Sequence, residues 1–266
     1  MPVKFNVDEA MILIEDHYKS KTPPEKLIFS GSLRLVLENV QVDERINDIR
    51  EVAYLLGTAA EESFYSLQRW EADFVCVKPG TPYGVSGPCQ KALNYYRSLT
   101  GGKVNYYTLG VDAKGLPYFG RGLIQLTGKD NYKYFGDIIG VDLVSNGDLA
   151  LEENNSYNVA IEYMSRILPG KKDSTFGYAK NGDLTKARKT VNAGLKGLAN
   201  INQYYNIWLE ILNKTKISDA IVKTQGIVVS GATNEPIKGV IVKIQEPLPK
   251  APTLNPQIIP QNPNLI

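Results

Sequence analysis

The 266-residue chain is long enough for one large domain, or one domain with a short appendage, built around a sizeable core. Hydrophobic residues make up 43% and charged residues 22%, which excludes a disordered or collagen-like chain, and a net charge of +2 points to neither a nucleic-acid nor an anionic-membrane partner. Two cysteines (Cys76, Cys89) and one histidine (His17) rule out a cysteine-only or multi-histidine metal site, and any Ser-His-Asp or Cys-His mechanism would have to be built on that one imidazole. No metal and no cofactor is expected. The cysteines suit one loop-closing bridge or two free thiols. Sixteen tyrosines and two tryptophans could line a carbohydrate groove or simply fill cores and edges.

The opening MPVKFNVDEAMILIEDHYKS is punctuated by Asp8, Glu9, Glu15 and Asp16, so no signal peptide or membrane span is read there. The expectation is a soluble protein made in the cytoplasm. Ala10, Ile12 and Leu13 predict a short amphipathic helix over residues 8–18, ended by KTPPEK, where paired prolines deny continuation. Between residues 43 and 62, Ile46, Ile49, Val52, Ala53, Leu56 and Ala60 recur at three- and four-residue steps and predict the most secure helix. Residues 77–119, rich in proline and glycine, read as turns and loops around a short helix near 90–99. Long irregular stretches of this kind are more often functional than accidental.

Further helices are predicted at 131–139, 156–167, 184–192 and 198–212, the last with Leu198, Ile201, Tyr205, Trp208 and Leu212 on one stripe. After Thr215 the texture changes. Two β-branched runs at 227–229 and 240–244, joined by a turn-rich loop, read as a β-hairpin, and six prolines among asparagines and glutamines follow in an extended tail. The expected architecture is mainly α, with residues 1–215 as the main domain, 216–246 as a hairpin appendage and 247–266 as a tail.

Glu62 and Glu71 draw attention as a carboxylate pair. Were the helix to continue, the nine residues between them would turn the chain by about 900° and put them on opposite faces. The helix must therefore stop near Glu62 and the chain fold back if the two are to share a site. A lone surface carboxylate is ordinarily a solvated charge. Here AYLLGTAA, apolar and small, precedes Glu62, so its carboxyl group sits beside a packed core, where desolvation can shift it toward general-acid chemistry.

TAAEESFYSLQRWE resembles the segment of family 19 glycoside hydrolases, the chitinases and related phage-type endolysins, that carries an acid and, in compact members, a second glutamate nine residues on. YFGRGLIQLTGKDNY is similar to the family's YGRG, QL(T/S) and NY block, and KTVNAGLKGLANINQYYNIWL to its late VNGG segment. INDIREVAYLLGTAAEES resembles the helix leading into the acid. Together these cover most of residues 43–212.

The resemblance implies a lysozyme-like, bilobal helical fold and inverting hydrolysis of β-1,4 bonds beside N-acetylhexosamines. It implies Glu62 as general acid, and Glu71 as general base acting on a water with Thr127. Gln125, Asn131, Asn192 and Tyr118 become substrate-binding candidates, although Asn192 could equally cap the last helix. Arg121 is expected to pair with a buried carboxylate and fix the loop. Gly120 and Gly122 are expected to let the backbone approach substrate or the neighbouring helix.

Two departures stand out. Glu61 occupies the place of the family's usual histidine, and would act on Glu62 only if it pointed inward. Phe64 and Tyr65 replace the usual Gly-Gly. Peptidoglycan is expected over chitin as substrate, which fits an endolysin or injected effector acting at the cell wall after lysis or non-classical export. The alternative is a non-catalytic carbohydrate-binding or phage-tail structural protein that keeps the groove. Residues 226–245 resemble the first strands of a carboxypeptidase-regulatory-like module, and residues 224–266 are candidates for docking on a phage-tail or contractile-injection assembly.

Overall fold

Asn6 opens the first helix, α1 (Val7–Ser20), by accepting from the Glu9 backbone N–H at 3.2 Å, with Asp8 and Glu9 in the first turn and His17 and Lys19 in the last. Both arrangements suit the helix dipole. The computed structural model describes residues 2–69, 112–113 and 118–217. Within them regular structure is helical, and β pairing is confined to isolated bridges of Phe5 with Lys216 and Arg121 with Leu126. Backbone contacts divide the chain into Met1–Asp219 and Ala220–Ile266, and the described residues all belong to the first unit. Most of the 77–119 stretch, including the helix expected near 90–99, together with Glu71, Cys76, Cys89, the hairpin expected at 226–245 and the tail expected at 247–266, lies outside the described residues.

A helix that the sequence reading does not anticipate, α2 (Ser30–Val40), buries Leu33, Val36, Leu37 and Val40. Its pattern is helical, but Phe29 at the N-cap supplies no side-chain acceptor, so the usual start signal is missing.

The secure helix, α3, runs from Ile49 to Ser63 rather than from residue 43. Asp48 accepts from the Arg50 N–H at 2.9 Å, while Glu51 reaches back to the Asn47 and Asp48 N–H groups at 2.8 and 3.1 Å, a reciprocal cap that fixes the start. Upstream, Asp43 is held in two-pronged fashion by Arg45 and also accepts from the Tyr157 hydroxyl. Ile46 carries the apolar period forward because it fills the core from this loop.

Every residue from Glu51 to Ala60 is buried. The small-residue run AYLLGTAA therefore reflects a helix enclosed on several sides. Its principal neighbour is α8 (Leu198–Thr215), and a Cβ on Gly57 would meet the Ile201 carbonyl and Tyr205 nitrogen at 3.0 Å. Behind them Trp208, fully buried, donates from Nε1 to the Tyr65 hydroxyl at 3.1 Å. Tyr18, Tyr54, Tyr65, Tyr132 and Tyr157 are likewise buried, so most of the described tyrosines serve the core.

The remaining helices are α4 (Lys129–Ile139), α5 (Glu153–Ser165), α6 (Thr175–Lys180) and α7 (Leu184–Val191), with a 3-10 turn at Gly147–Leu151 before α5. The six-residue α6 is a second element absent from the sequence reading. It packs against α3 and α7, while α4 packs against α5. Near the end of α8 the chain returns to its start, the Asn6 N–H reaching the Thr215 carbonyl at 2.8 Å and the Ile217 N–H reaching that of Lys4 at 3.1 Å. No helix among the described residues is long and apolar enough to cross a membrane.

Candidate active site

At Ser63 helix α3 stops, as the Glu62–Glu71 pairing requires, because Phe64 and Tyr65 both take left-handed backbone angles, φ 52° and 67°. The turn puts Glu62 on one side of a cleft of about 460 Å³. Glu61, Glu62, Phe64 and Arg69 line it from the end of α3, Tyr163 from α5, and Val191, Asn192 and Lys196 from the end of α7 and the loop beyond. Gly120, Ile124, Gln125, Leu126, Thr127 and Asn131 line it from the loop that leads into α4.

Backbone strain gathers at this cleft. The non-glycine residues with positive φ among those described are Phe64, Tyr65, Gln125 (56°) and Leu195 (58°). Phe64 and Gln125 line the cleft, and Leu195 immediately precedes Lys196, which also lines it. Each such residue costs roughly 1–2 kcal/mol, and strain of this kind concentrates where a ligand is clamped.

Glu62 is held by a residue that the sequence reading does not single out. Arg188, only 2% exposed, donates from one terminal nitrogen to Glu62 Oε1 at 2.6 Å, and from Nε and its other terminal nitrogen to the Lys196 carbonyl at 2.9 and 2.6 Å. One guanidinium thus fixes both the carboxyl group and the loop after α7. Glu62 Oε2 makes no hydrogen bond among the described residues, which leaves one oxygen of the carboxyl group for other chemistry. The signal for Arg188 is present in LTKARKTV, where Leu184, Ala187, Arg188 and Val191 share one helical face and place an arginine on an apolar stripe.

Glu61 turns toward the start of α8. Its Oε2 accepts from Asn200 Nδ2 at 2.9 Å, and a Cβ on Gly197 would meet its Oε1 at 2.5 Å. A carboxylate there faces the positive end of the helix dipole.

Of the residues that line the opposite wall none is ionised, and Arg121, between them in sequence, is turned into the core. Gln125 donates from Nε2 to the carbonyls of Arg69 and Gly122, at 3.1 and 2.9 Å, which leaves its Oε1 over Gly120. A Cβ at Gly120 would lie 2.8 Å from that oxygen, so this glycine makes room for the Gln125 side chain rather than for a neighbouring helix. Gly122 does abut a helix, with Ser156 Oγ of α5 at 2.7 Å from a would-be Cβ, and its φ of 78° favours glycine independently. The Thr127 hydroxyl donates to the Gln125 carbonyl at 2.9 Å, so its lone pairs remain available to accept from a water. Asn131 donates to the Thr127 carbonyl at 2.8 Å and lines the cleft with the rest of its amide.

Arg121 is buried as expected. It pairs with Asp148 at 3.3 Å, donates to the Tyr132 hydroxyl at 2.9 Å and lies 4.1 Å over the Phe119 ring, although Asp148 itself is partly exposed.

Residues 72–195 match the family model for chitinase class I of glycoside hydrolase family 19. The chain is thus similar to family 19 glycoside hydrolases over slightly less than half of its length. Over 33 residues it is 64% identical to Chitinase 11 and 61% identical to Chitinase 8 of Oryza sativa subsp. japonica, a stretch that is 12% of this chain and 13% of each relative. The chain therefore matches about an eighth of the length of these curated relatives. In three dimensions it is similar to a chitinase C mutant with a TM-score of 0.50 and 14% identity, covering 80% of this chain and 95% of that one. This likeness bears out the mainly helical, lysozyme-like fold.

Among the described residues the structure brings Glu62, Gly120, Gln125, Thr127, Asn131 and Asn192 to one cleft. Glu62 precedes the matched residues, so its membership of the site rests on this geometry. Asn192 follows α7 instead of capping the last helix. Its Oδ1 accepts from the Gly194 N–H at 3.0 Å while the residue lines the cleft, and Gly197, the N-cap of α8, offers no side-chain cap. Tyr118 requires correction as a substrate-binding residue. It is 1% exposed, donates to the Val144 carbonyl at 2.7 Å and packs on the Tyr132 ring, because the turn at Gly120–Gly122 directs it into the core.

Proposed function

We propose that the chain is a family 19 glycoside hydrolase that cleaves β-1,4 bonds of N-acetylhexosamine polymers with inversion, and that it prefers peptidoglycan to chitin. The observation that carries this reading is Glu62 on one wall of a cleft, with Oε1 held by the buried Arg188 and Oε2 without a hydrogen bond among the described residues, opposite a wall of neutral amides and a hydroxyl. Glu62 protonates the departing glycosidic oxygen as its bond to the anomeric carbon breaks. A water forms the new carbon–oxygen bond from the opposite face and loses its proton to the base, for which the family resemblance supplies Glu71. Thr127, whose own proton is engaged by the Gln125 carbonyl, accepts from that water and orients it. The remaining amide groups of Gln125, Asn131 and Asn192 suit N-acetyl and hydroxyl groups of a neutral sugar.

Support for peptidoglycan over chitin comes from Lys196, an exposed cation lining the cleft. Chitin has no carboxylates, whereas muramic acid and its peptides do. The names of the rice relatives favour chitin as the second reading. Purified protein is to be assayed side by side on peptidoglycan sacculi and chitin oligomers for new reducing ends, with the first-formed anomer read by proton NMR. The proposal expects faster release from sacculi and the inverted anomer. Sugar binding without hydrolysis would contradict it and select a non-catalytic carbohydrate-binding protein, and faster release from chitin would reverse the substrate order.

A further inference from the structure

Phe64 combines three features that the reaction described above does not use. It lines the cleft two residues after Glu62, it is 52% exposed, and it occupies the left-handed position that ends α3. Glycine satisfies that corner without strain, so the backbone does not call for an aromatic side chain there. The core does not call for one either. The corner is anchored from behind by the next residue, Tyr65, which is 1% exposed, accepts from Trp208 Nε1 and meets the Trp208 ring edge-on at a centroid distance of 6.0 Å. With Tyr65 turned inward and its N–H bonded to the Ala59 carbonyl at 3.0 Å, Phe64 is directed onto the rim of the cleft.

Of the large exposed hydrophobic residues among those described, Phe64 is the one that lines the cleft. The Arg69 guanidinium carbon lies 5.0 Å from the ring centroid, which covers one face. The other face is a flat apolar surface with a negative quadrupole, beside a carboxyl group and across from hydrogen-bonding amides. A pyranose ring matches it, since its axial C–H bonds form a flat, slightly positive face while its equatorial hydroxyls point sideways to polar partners.

We propose that Phe64 is a stacking platform for one pyranose ring of the glycan, forming a subsite next to Glu62. This subsite rests on the glycan-cleft reading above. The strain at Phe64 is then the cost of carrying a ring where glycine would otherwise serve, and the ring places the scissile bond relative to Glu62.

The test uses the Glu62→Gln protein, so that binding is read without turnover. Affinity for a chitin hexamer and for glycan strands freed of peptide is measured with and without Phe64→Gly, alongside thermal unfolding. The stacking role expects binding about tenfold weaker in Phe64→Gly, with a melting temperature equal or higher because the left-handed strain is relieved. Phe64→Trp restores binding, whereas Phe64→Leu, which keeps apolar bulk over Arg69 but no ring face, does not. Unchanged affinity in Phe64→Gly overturns the platform while leaving the glycan cleft standing. Weaker binding together with a lowered melting temperature, or rescue by Phe64→Leu, assigns Phe64 to structure and also overturns it. Absence of glycan binding by the Phe64-containing protein sinks the cleft reading and the platform together.

Discussion

The two walls of the cleft are built on different principles. The wall made by the ends of α3 and α7 is charged and assembled from distant segments: Glu61 and Glu62, then Arg188 and Lys196, more than a hundred residues later. The wall from Gly120 to Asn131 is one continuous stretch whose cleft-lining polar side chains are neutral amides and a hydroxyl. Bond cleavage needs a proton donor held in place by a fixed countercharge, whereas recognition of uncharged N-acetyl and hydroxyl groups is better done by amides that impose no charge. On the proposed function, charge is concentrated on the wall that cleaves the bond and is absent from the cleft-lining side chains that read the sugar.

Breaking the charged wall has the largest expected effect. Arg188→Met leaves Glu62 and the Lys196 carbonyl without their donor, and stability falls by about 3 kcal/mol in urea unfolding, the low end for a broken buried pair because Glu62 is partly exposed. Hydrolysis falls at least a hundredfold with it, and Arg188→Lys, which keeps the charge but cannot make all three hydrogen bonds, recovers only part of either.

On the neutral wall the two readouts separate. Thr127→Val lowers kcat roughly 10- to 100-fold through loss of the water-orienting hydroxyl, while unfolding shifts by no more than about 1 kcal/mol. Gly120→Ala displaces the Gln125 amide, so KM rises about three- to tenfold and kcat changes less. If Thr127→Val destabilised the fold as much as Arg188→Met, the contrast between the walls would fail.

The smallest effect lies behind the cleft and appears as pH dependence of stability. Hydrogen bonds from Arg50 hold Asp48 below the usual carboxylate range. Burial pushes Asp43 and Glu162 upward, but hydrogen bonds from Arg45, joined by Tyr157 at Asp43 and by Arg166 at Glu162, outweigh it and leave both lowered. A carboxylate with a depressed folded-state pKa stabilises fully above its unfolded value, about 4, and loses that contribution as pH falls through the folded value. Melting temperature should therefore drop below about pH 4, and Arg45→Met should flatten that part of the profile.

The continuity of the neutral wall is also why it could be read from sequence. Gln125, Thr127 and Asn131 lie within seven positions, and the sequence reading assigns all three to the site. Arg188 acts at a distance of 126 residues from Glu62, and only its place on an apolar helical face hints at burial. Tyr118 lies on the core side of the turn, which its place at the start of the motif does not reveal. Hydrophobic period located α1, α3, α4, α5, α7 and α8, but α2 lacks a capping side chain and α6 is too short to show a period. Ile46 keeps the helical rhythm from a loop, so the helix predicted from the apolar period begins six residues before α3 does, and the Asp48–Glu51 cap is the stronger boundary signal.

Most directly, the role of Glu62 is tested by reducing-end release from sacculi and chitin oligomers for the unmutated protein and Glu62→Gln, with circular dichroism and glycan binding as controls. The two-wall account predicts a loss of at least a thousandfold in turnover with helicity and binding retained. Turnover by Glu62→Gln at a rate near that of the unmutated protein would contradict it.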